Sequence, residues 1–354
     1  MTHARPRESL AVLLAASFLL AFPSLARAQE DDMSALLTPE TRRSVDKGVQ
    51  WLVENQNRDG SWGCQMNQAP ATAITGLACL ALMSDGSTPN RGRHRKAIAK
   101  GLRWILSVAR EDGSITANDA IGLGLLYDHA AATLMLAELY GMDAEAKEDK
   151  EIKDKLLKAV QFMGRSQNGD GGWGSQPSGT SDIAITGMMF VALRAAHNAG
   201  IATDHASLDR LLAFVRSCQD TSGTFNQYPG MGDGGRLFYP TSAGLRVLVG
   251  MGEGDSKKVQ QGCEWMVARR LGEDYGGQVS EWDYAGAFFA IQAVFPDRAY
   301  FDKWYPTMRE QLMQIQHPTG YWEIQYCSCC RAYATAISLI LLQAPLKILP
   351  LFQL

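Results

Sequence analysis

Amphipathic segments alternate with uniformly apolar segments along most of this 354-residue chain. In "RKAIAKGLRWILSVA", Ile98, Leu102 and Ile105 recur at three-to-four-residue spacing among basic residues, which predicts a helix with one buried face. In contrast, "SDIAITGMMFVALRAA" is apolar on every face and rich in small residues, which is typical of a helix enclosed by other helices. The pattern therefore predicts outer and inner helices in alternation.

A short glycine-containing turn separates each outer helix from the inner helix that follows it. The two clearest copies are "QNRDGSWG", which begins at Gln56, and "QNGDGGWG", which begins at Gln167. Related segments recur at spacings of roughly fifty residues: they are "VAREDGSI", "QDTSGTFN", "LGEDYGG" and "QHPTGYWE". The six turns therefore predict six pairs of an outer and an inner helix.

Six such pairs favour a closed double ring, because closure buries every apolar helix without leaving an exposed end. An open solenoid is the alternative, but it normally requires polar capping repeats, and neither end of the repeat region shows one clearly. We therefore expect an all-α fold with six outer and six inner helices.

The turn motif itself indicates a structural role. Gly171 permits the left-handed backbone needed to leave a helix, and Asp170 is suited to bond local amides. Trp173 is suited to pack between neighbouring helices, and Gln167 to bond exposed helix-end groups. We expect the same roles in the first copy of the motif.

The two motif copies resemble the Gln-Trp repeats of squalene–hopene and oxidosqualene cyclases, and related repeats occur in the β subunits of protein prenyltransferases. The resemblance extends over residues 41–343. It implies an (α/α)6 toroid similar to one domain of a cyclase, and in an enzyme it implies an isoprenoid-type substrate. Similar toroids also serve as thioester domains of complement proteins and as polysaccharide-cleaving enzymes, so the motif indicates fold more than chemistry.

The first residues have the features of a secretory signal peptide. Arg5 and Arg7 precede the apolar run "LAVLLAASFLLAF", and Ala26–Ala28 has the small-x-small form of a cleavage site. The apolar run is short for a membrane span, so cleavage is favoured over an uncleaved anchor and no stable span is expected afterwards. We expect an exported, periplasmic or secreted protein with three parts: a signal peptide (1–28), a tail (29–40) and one toroid domain (41–354).

Composition and charge exclude few partners, but they argue against nucleic acid. Hydrophobic residues make up 46% of the chain, which is enough for a large core, and the formal net charge of −3 leaves no basic face. Among the seven cysteines, we expect Cys79, Cys218 and Cys263 to be buried free thiols, because they lie in helical patterns.

The parallel inner helices would place their N-termini at one mouth of the ring, where unpaired amides favour anionic groups. This mouth supplies the candidate site residues. The catalytic candidates are Asp128, His129 and Asp283, and the ligand-binding candidates are Tyr127, Asp182, Tyr239, Trp282, Tyr284, Arg331 and Tyr333. Helix capping alone is the competing interpretation for the three aspartates. Because adjacent helical residues do not face each other, His129 would need an acid from a neighbouring repeat.

The sequence lacks the chemical signatures of the families it resembles. Neither the Asp-x-Asp-Asp motif of alkene-protonating cyclases nor the Asp-Asp-x-x-Asp motif of diphosphate binding lies in the repeat region, and the thioester motif is also missing. Protein prenyltransferases carry a zinc-binding Asp-x-Cys motif at the start of an inner helix. Asp283 falls near the position of its aspartate, but Ala285 stands where the cysteine should be. We therefore assign no cofactor.

The segment "YCSCCRAY" leaves three interpretations open: zinc binding, a disulfide, and free thiols. Zinc binding would use Asp283, Cys327, Cys329 and Cys330. A disulfide from Cys64 to Cys327 or Cys329 would instead fasten the first repeat to the last.

These observations favour a toroid that binds a ligand or partner at the mouth of the inner ring without standard cyclase chemistry. A lipid-like molecule, a glycan or a peptide would be the ligand. An isoprenoid-processing enzyme is one alternative. A polysaccharide-cleaving enzyme is another, although it needs basic groups in the cleft, where only Arg331 is well placed.

Overall fold

The computed structural model describes residues 33–64, 69–117, 124–232, 237–324 and 331–352, with residue 64 described by its backbone alone. The predicted signal peptide lies outside these residues. Thirteen α-helices, α1 to α13, account for most of the described chain. Six of them are outer helices, six are inner helices, and the short α5 (Ala144–Glu148) connects the second and third repeats.

The outer helices are amphipathic, as predicted, and most begin at a residue whose side chain accepts a hydrogen bond from the first turn. They are α1 (Pro39–Glu54), α3 (Arg95–Ser107), α6 (Lys150–Arg165), α8 (His205–Cys218), α10 (Lys257–Val267) and α12 (Arg298–Ile315). The capping residues are Thr38, Asp149, Asp204, Ser256 and Asp297.

The inner helices are buried on nearly every face. They are α2 (Thr72–Met83), α4 (Leu125–Met142), α7 (Ile183–Asn198), α9 (Phe238–Gly250), α11 (Glu281–Val294) and α13 (Arg331–Gln343). Glycines allow these helices to approach closely. A Cβ atom on Gly187 of α7 would lie 3.2 Å from the Cβ of Ala243 in α9 and 3.5 Å from the ring of Phe289 in α11.

The inner helices form a closed ring in which each contacts the next and α13 contacts α2. On the outside of the ring, the last outer helix, α12, contacts the first, α1. This arrangement confirms the all-α toroid that the sequence pattern predicts.

The turn motif performs the structural role that was expected of it. The indole N–H of Trp173 donates to the carbonyl oxygen of Met163 at 3.0 Å, and this tryptophan is fully buried. The Gln167 amide donates to the carbonyl oxygens of Gly171 and Ser207, so it joins the turn to the first residues of the next outer helix. Gln167 therefore links consecutive repeats and does more than cap its own helix.

Several smaller features were not predicted. A two-stranded antiparallel ribbon pairs β1 (Gly63–Cys64) with β2 (Ala69–Pro70). At the far end of the chain, a 3-10 turn (Pro350–Phe352) packs under the inner ring, and the Leu351 amide donates to a carboxylate oxygen of Glu138 at 2.9 Å. This segment covers the end of the ring where the inner helices finish.

Cys79, Cys218 and Cys263 are buried and free, as predicted. Burial raises the pKa of each thiol to about 12. Within the described ranges, no helix combines the length and apolarity needed to cross a bilayer.

Candidate functional site at the ring mouth

The N-termini of the inner helices share one end of the ring, which we call the mouth. The structure divides the candidate residues there into two groups. The first contains Asp128, Tyr127 and Tyr333 on α4 and α13. The second contains Asp182, which directly precedes α7, with Tyr239 on α9 and Trp282 on α11.

Asp128 caps the neighbouring inner helix and not its own. Its carboxylate accepts from the backbone N–H of Ala73 in the first turn of α2 at 3.0 Å, and the hydroxyl of Thr116 lies 3.4 Å from its other oxygen. Ala71, the residue preceding α2, provides no side-chain cap. Burial raises the pKa of Asp128 to about 7, because the hydrogen bonds offset only part of the cost of removing the charge from water.

Tyr127 and Tyr333 meet beside this aspartate, with their hydroxyl oxygens 3.1 Å apart. Both rings are buried, and the contact joins α4 to α13, the two inner helices that flank α2 in the ring. Burial raises the pKa of Tyr127 to about 12, so its hydroxyl stays protonated over the physiological range.

His129 faces away from the mouth into the layer between inner and outer helices. Its Nδ1 accepts from the N–H of Ile115 at 3.1 Å, and its Nε2 donates to the carbonyl oxygen of Ala159 at 3.2 Å. Because Nδ1 must accept, the proton lies on Nε2. Burial lowers the pKa of His129 to about 4. Neither nitrogen is available to a substrate, and no acid among the described residues of a neighbouring repeat hydrogen-bonds to this ring.

Asp182 belongs to a polar chain at the start of α7. Its carboxylate accepts from the N–H of Ala184 at 2.7 Å, as an N-cap, and from the side-chain amide of Gln227 at 2.5 Å. The same amide nitrogen lies 3.0 Å from the hydroxyl of Tyr228. Burial raises the pKa of Asp182. This carboxyl is less enclosed than that of Asp128, because its residue is only partly buried.

Tyr239 and Trp282 form an aromatic pair next to that chain. Their rings are stacked with centroids 4.9 Å apart and an interplanar angle of 29°. Tyr239 is buried and Trp282 is partly exposed, so the pair presents the indole at the mouth. Burial and the nearby Asp182 carboxylate both raise the pKa of Tyr239. The aromatic pair and the acid therefore lie in one cluster.

Asp283 is engaged in capping α11. Its carboxylate accepts from the Ser280 backbone N–H and hydroxyl, and its other oxygen accepts from the N–H of Gly272 at 2.8 Å. Both carboxylate oxygens thus already have hydrogen-bond donors. In the described part of the chain, no three histidine, cysteine or acidic residues group as metal ligands would. The zinc candidates Cys327, Cys329 and Cys330 lie outside the described residues, as does the side chain of Cys64 in the alternative disulfide.

The last two candidates make contacts that occupy their polar groups. The Tyr284 hydroxyl donates to the carbonyl oxygen of Glu323 at 3.2 Å, and its ring is fully buried. Arg331 makes an ion pair with the Glu323 carboxylate at 2.6 Å and lies over the ring of Tyr321, 4.5 Å from its centroid. The positive charge of Arg331 is therefore balanced within its own repeat.

Sequence reasoning missed Gln227 and Tyr228, which complete the cluster around Asp182. The residues follow the fourth turn motif, "QDTSGTFN", which has no tryptophan to draw attention to it. Their positions in the loop before α9 were a usable signal, because that loop must pass the N-terminus of α7 in a closed ring. The backbone confirms this passage, since the N–H of Ile183 donates to the Gln227 carbonyl oxygen at 3.1 Å.

Comparison with known proteins gives the relatives of this chain. Drimenyl diphosphate synthase of Streptomyces showdoensis is 25% identical over 225 residues, which is 63% of this chain and 40% of the relative. Squalene–hopene cyclase of Bradyrhizobium diazoefficiens is 23% identical over 256 residues, 62% of this chain and 38% of that enzyme. The chain thus spans about two fifths of the length of these relatives.

Solved structures share the fold. The type II terpene cyclase MstE from Scytonema, as a single-residue variant in complex with geranylgeranyl dihydroxybenzoate, superposes with a TM-score of 0.60 at 15% identity and covers 88% of this chain and 98% of its own. An inactive α-1,6-mannanase of Salegentibacter, bound to α-1,6-mannotriose, superposes with a TM-score of 0.65 at 9% identity. This match covers 86% of this chain and 99% of the mannanase chain. At such identities the likeness establishes the fold alone.

A family model agrees with the repeat pattern, the ring and these relatives. The model for the prenyltransferase alpha-alpha toroid domain matches residues 32–206 and, in a second overlapping match, residues 158–280. These matches cover well over half of the chain and include the turn motifs at Gln56 and Gln167. The chain belongs to the prenyltransferase alpha-alpha toroid family.

Proposed function

We propose that this protein is a ligand-binding toroid that holds a glycan at the mouth of its inner ring without standard cyclase chemistry. The observation that carries the proposal is the stacked pair of Tyr239 and Trp282 beside the Asp182–Gln227 hydrogen bond. A partly exposed indole offers a flat apolar surface. The Asp182 carboxylate already accepts from Ala184, Ile185 and Gln227, so it keeps at most one further acceptor position, and the Gln227 carboxamide adds polar groups at the edge of the indole.

A sugar ring matches this arrangement because it has an apolar face of C–H groups and hydroxyls around its rim. A lipid-like ligand would instead require a deep apolar cavity. The rings that would line such a cavity, Tyr284 and Phe288, are packed among other side chains with exposures of 0% and 1%. The known mannotriose complex of a mannanase with the same fold adds support for a glycan, as an analogy of fold only.

Binding to a panel of oligosaccharides, including α-1,6-mannotriose, tests this proposal on the purified full chain. We expect at least one oligosaccharide to bind, with affinity lost in Trp282→Ala and retained in Trp265→Ala. Trp265 is a matched control, because it is also partly exposed but lies on outer helix α10 against Arg269. Mass spectrometry of copurifying molecules gives an independent readout. Exclusively lipid or peptide ligands, or binding that survives Trp282→Ala, would reject the glycan site.

A terpenoid-cyclase-like enzyme is the second candidate, and one observation favours it. Asp128 has a pKa of about 7, so a large fraction of this buried carboxyl is protonated at neutral pH beside Tyr127 and Tyr333. A protonated carboxyl is what an alkene-protonating acid requires. Incubation with squalene or geranylgeranyl dihydroxybenzoate, followed by mass spectrometry, tests it. A cyclised product that disappears in Asp128→Asn would establish the enzyme, and its absence leaves the binding function.

Polysaccharide cleavage has less support. Arg331 is the basic residue placed for that chemistry, and its guanidinium is already paired with Glu323.

We further propose that the protein is exported after removal of residues 1–28, because basic, apolar and small-residue segments follow one another at its start. N-terminal sequencing of the native protein tests this, with Gln29 as the expected first residue.

A further inference from the structure

A cavity lies at the end of the ring opposite the mouth. It is formed where α7 and α9 end and α8 begins, and its volume is about 440 Å³. We call it the basal pocket. None of the mouth residues lines it, and neither the turn motif nor the proposed glycan site accounts for it.

The inner part of the basal pocket is apolar. Phe190 and Leu193 on α7, Leu208 on α8 and Met251 after α9 form this surface. The Phe190 and Leu193 side chains belong to the core, whereas Leu208 and Met251 are only partly buried. This surface can accept a hydrocarbon group of modest size.

The outer part of the pocket carries three basic side chains and no acidic one. Arg194, His197 and His205 line the pocket together with the hydroxyl of Thr203, which lies 3.4 Å from Nδ1 of His197. Arg194 donates through one nitrogen to the carbonyl oxygen of Gly250 at 2.9 Å and makes no ion pair with any described carboxylate. Asp204 and Glu253 are the acids that adjoin lining residues along the chain, but the Asp204 carboxylate caps α8, Glu253 pairs with Arg216, and neither lines the pocket.

A second arginine lies directly behind the apolar surface. Arg246 is buried, with its guanidinium 5.4 Å from the Phe190 ring centroid and its Nε donating to Gln292 at 3.1 Å. Burial, and then the charge of Arg194, lower its pKa to about 10, which still leaves it positive at neutral pH. Glu138 is the acid that opposes this charge, but burial raises its pKa to about 8. Two arginines therefore lie at or directly behind the basal pocket, and no carboxylate lines it.

We propose that the basal pocket binds an amphiphilic anion, a phosphate or carboxylate attached to a compact apolar group. The apolar group packs on Phe190, Leu193, Leu208 and Met251, and the anionic head faces Arg194, His197 and His205. Charge-assisted hydrogen bonds from a guanidinium favour such a head, and the apolar surface distinguishes this ligand from free phosphate.

Ligand-observed NMR titration of the full chain with hexyl phosphate tests the proposal in a Tris buffer. Inorganic phosphate and hexanol are the two partial ligands, since each carries only one half of the proposed chemistry. We expect hexyl phosphate to bind at least about tenfold more tightly than either. If hexanol binds as tightly as hexyl phosphate, the negative charge does not contribute to binding. If inorganic phosphate binds as tightly as hexyl phosphate, the apolar surface does not contribute. Either result overturns the proposal.

Substitutions of residues that line the basal pocket test whether hexyl phosphate binds there. We expect Arg194→Gln to weaken hexyl phosphate binding about tenfold, because it removes a charge-assisted contact. Arg103→Gln is the matched control, an exposed arginine on α3 away from the pocket, and should leave the affinity unchanged. The double variant His197→Gln/His205→Gln changes two exposed positions, so it tests the same idea if Arg194→Gln fails to fold. Hexyl phosphate affinity that is unchanged in both basal variants excludes the site.

Discussion

The side-chain amide of Gln316 donates to the backbone carbonyl oxygen of Ser44 at 2.9 Å, and this bond joins the last repeat to the first. The Ser44 hydroxyl returns a bond to the Gln316 side-chain oxygen at 2.7 Å. Gln167 makes the same pair of bonds to Ser207 in the next repeat along the chain. The ring is therefore closed by the contact that also joins repeats within it.

Replacing the closing glutamine should destabilise the protein as much as replacing an internal one. We expect Gln316→Ala and Gln167→Ala each to lower the free energy of unfolding by about 1–3 kcal/mol, because buried partners lose their hydrogen bonds. Urea unfolding followed by circular dichroism measures this.

Gln219 provides the control for these variants. Among the described residues, its side-chain amide donates only to the carbonyl oxygen of Gly223 in its own turn, at 3.4 Å, so Gln219→Ala should cost less than about 1 kcal/mol. If Gln316→Ala lowers the free energy of unfolding as little as Gln219→Ala does, the hydrogen bonds between Gln316 and Ser44 contribute little to stability.

Turn glycines permit a positive φ angle, and some of them also allow close packing against the next outer helix; two variants separate these effects. Gly171 has φ +91°, and an added Cβ would lie 2.1 Å from the carbonyl oxygen of Arg210 in the next outer helix. Gly200 has φ +89°, but nothing lies within 4 Å of its Cβ position. We expect Gly200→Ala to cost about 1 kcal/mol from backbone strain, and Gly171→Ala about 3 kcal/mol or more because the repeats must also separate. Thermal unfolding compares them, and equal losses would contradict a packing role for Gly171.

The ring could be predicted because its determinants are local and repeated. Gly171, Trp173 and Gln167 lie within seven residues of each other, and their type and spacing recur in other copies. The periodicity of apolar positions then distinguishes outer from inner helices. Asp182 was recognised as a capping candidate for the same reason, since it immediately precedes the helix that it caps.

The mouth was harder to predict because its contacts join different repeats. Asp128 caps α2, whose capped amide belongs to Ala73, 55 residues earlier in the chain. Capping was weighed for Asp128, but on its own helix, because spacing along one helix cannot show which neighbour a side chain meets. Gln227 was missed for a similar reason, since its partner Asp182 lies in the preceding repeat.

The raised pKa of Asp128 predicts a pH-dependent effect of its replacement. The folded protein holds this proton up to about pH 7, whereas the unfolded chain releases it near pH 4. The stability contributed by the protonated carboxyl is therefore lost as the pH rises from about 4 through 7. Asn remains neutral, and its side-chain oxygen can still accept from Ala73.

We expect Asp128→Asn to match the wild type in stability near pH 4 and to exceed it by about 1–4 kcal/mol at pH 8. Urea unfolding across this pH range measures the difference between the two proteins. Glu138, whose pKa is also raised, is present in both and cancels in the comparison. A difference that is constant with pH would show that Asp128 ionises normally in the folded protein.

His129 separates a structural role from a catalytic one. Its ring joins the second turn, at Ile115, to outer helix α6, at Ala159, and also meets the edge of Phe162 with centroids 4.9 Å apart. We expect His129→Ala to lower the free energy of unfolding by about 2–4 kcal/mol, because it leaves two buried backbone groups unpaired and creates a cavity. Denaturant unfolding measures this loss. Ligand binding at the mouth, measured well below the unfolding temperature, should persist because His129 does not face the mouth. A variant with unchanged stability that loses ligand binding or turnover would instead return His129 to the active site.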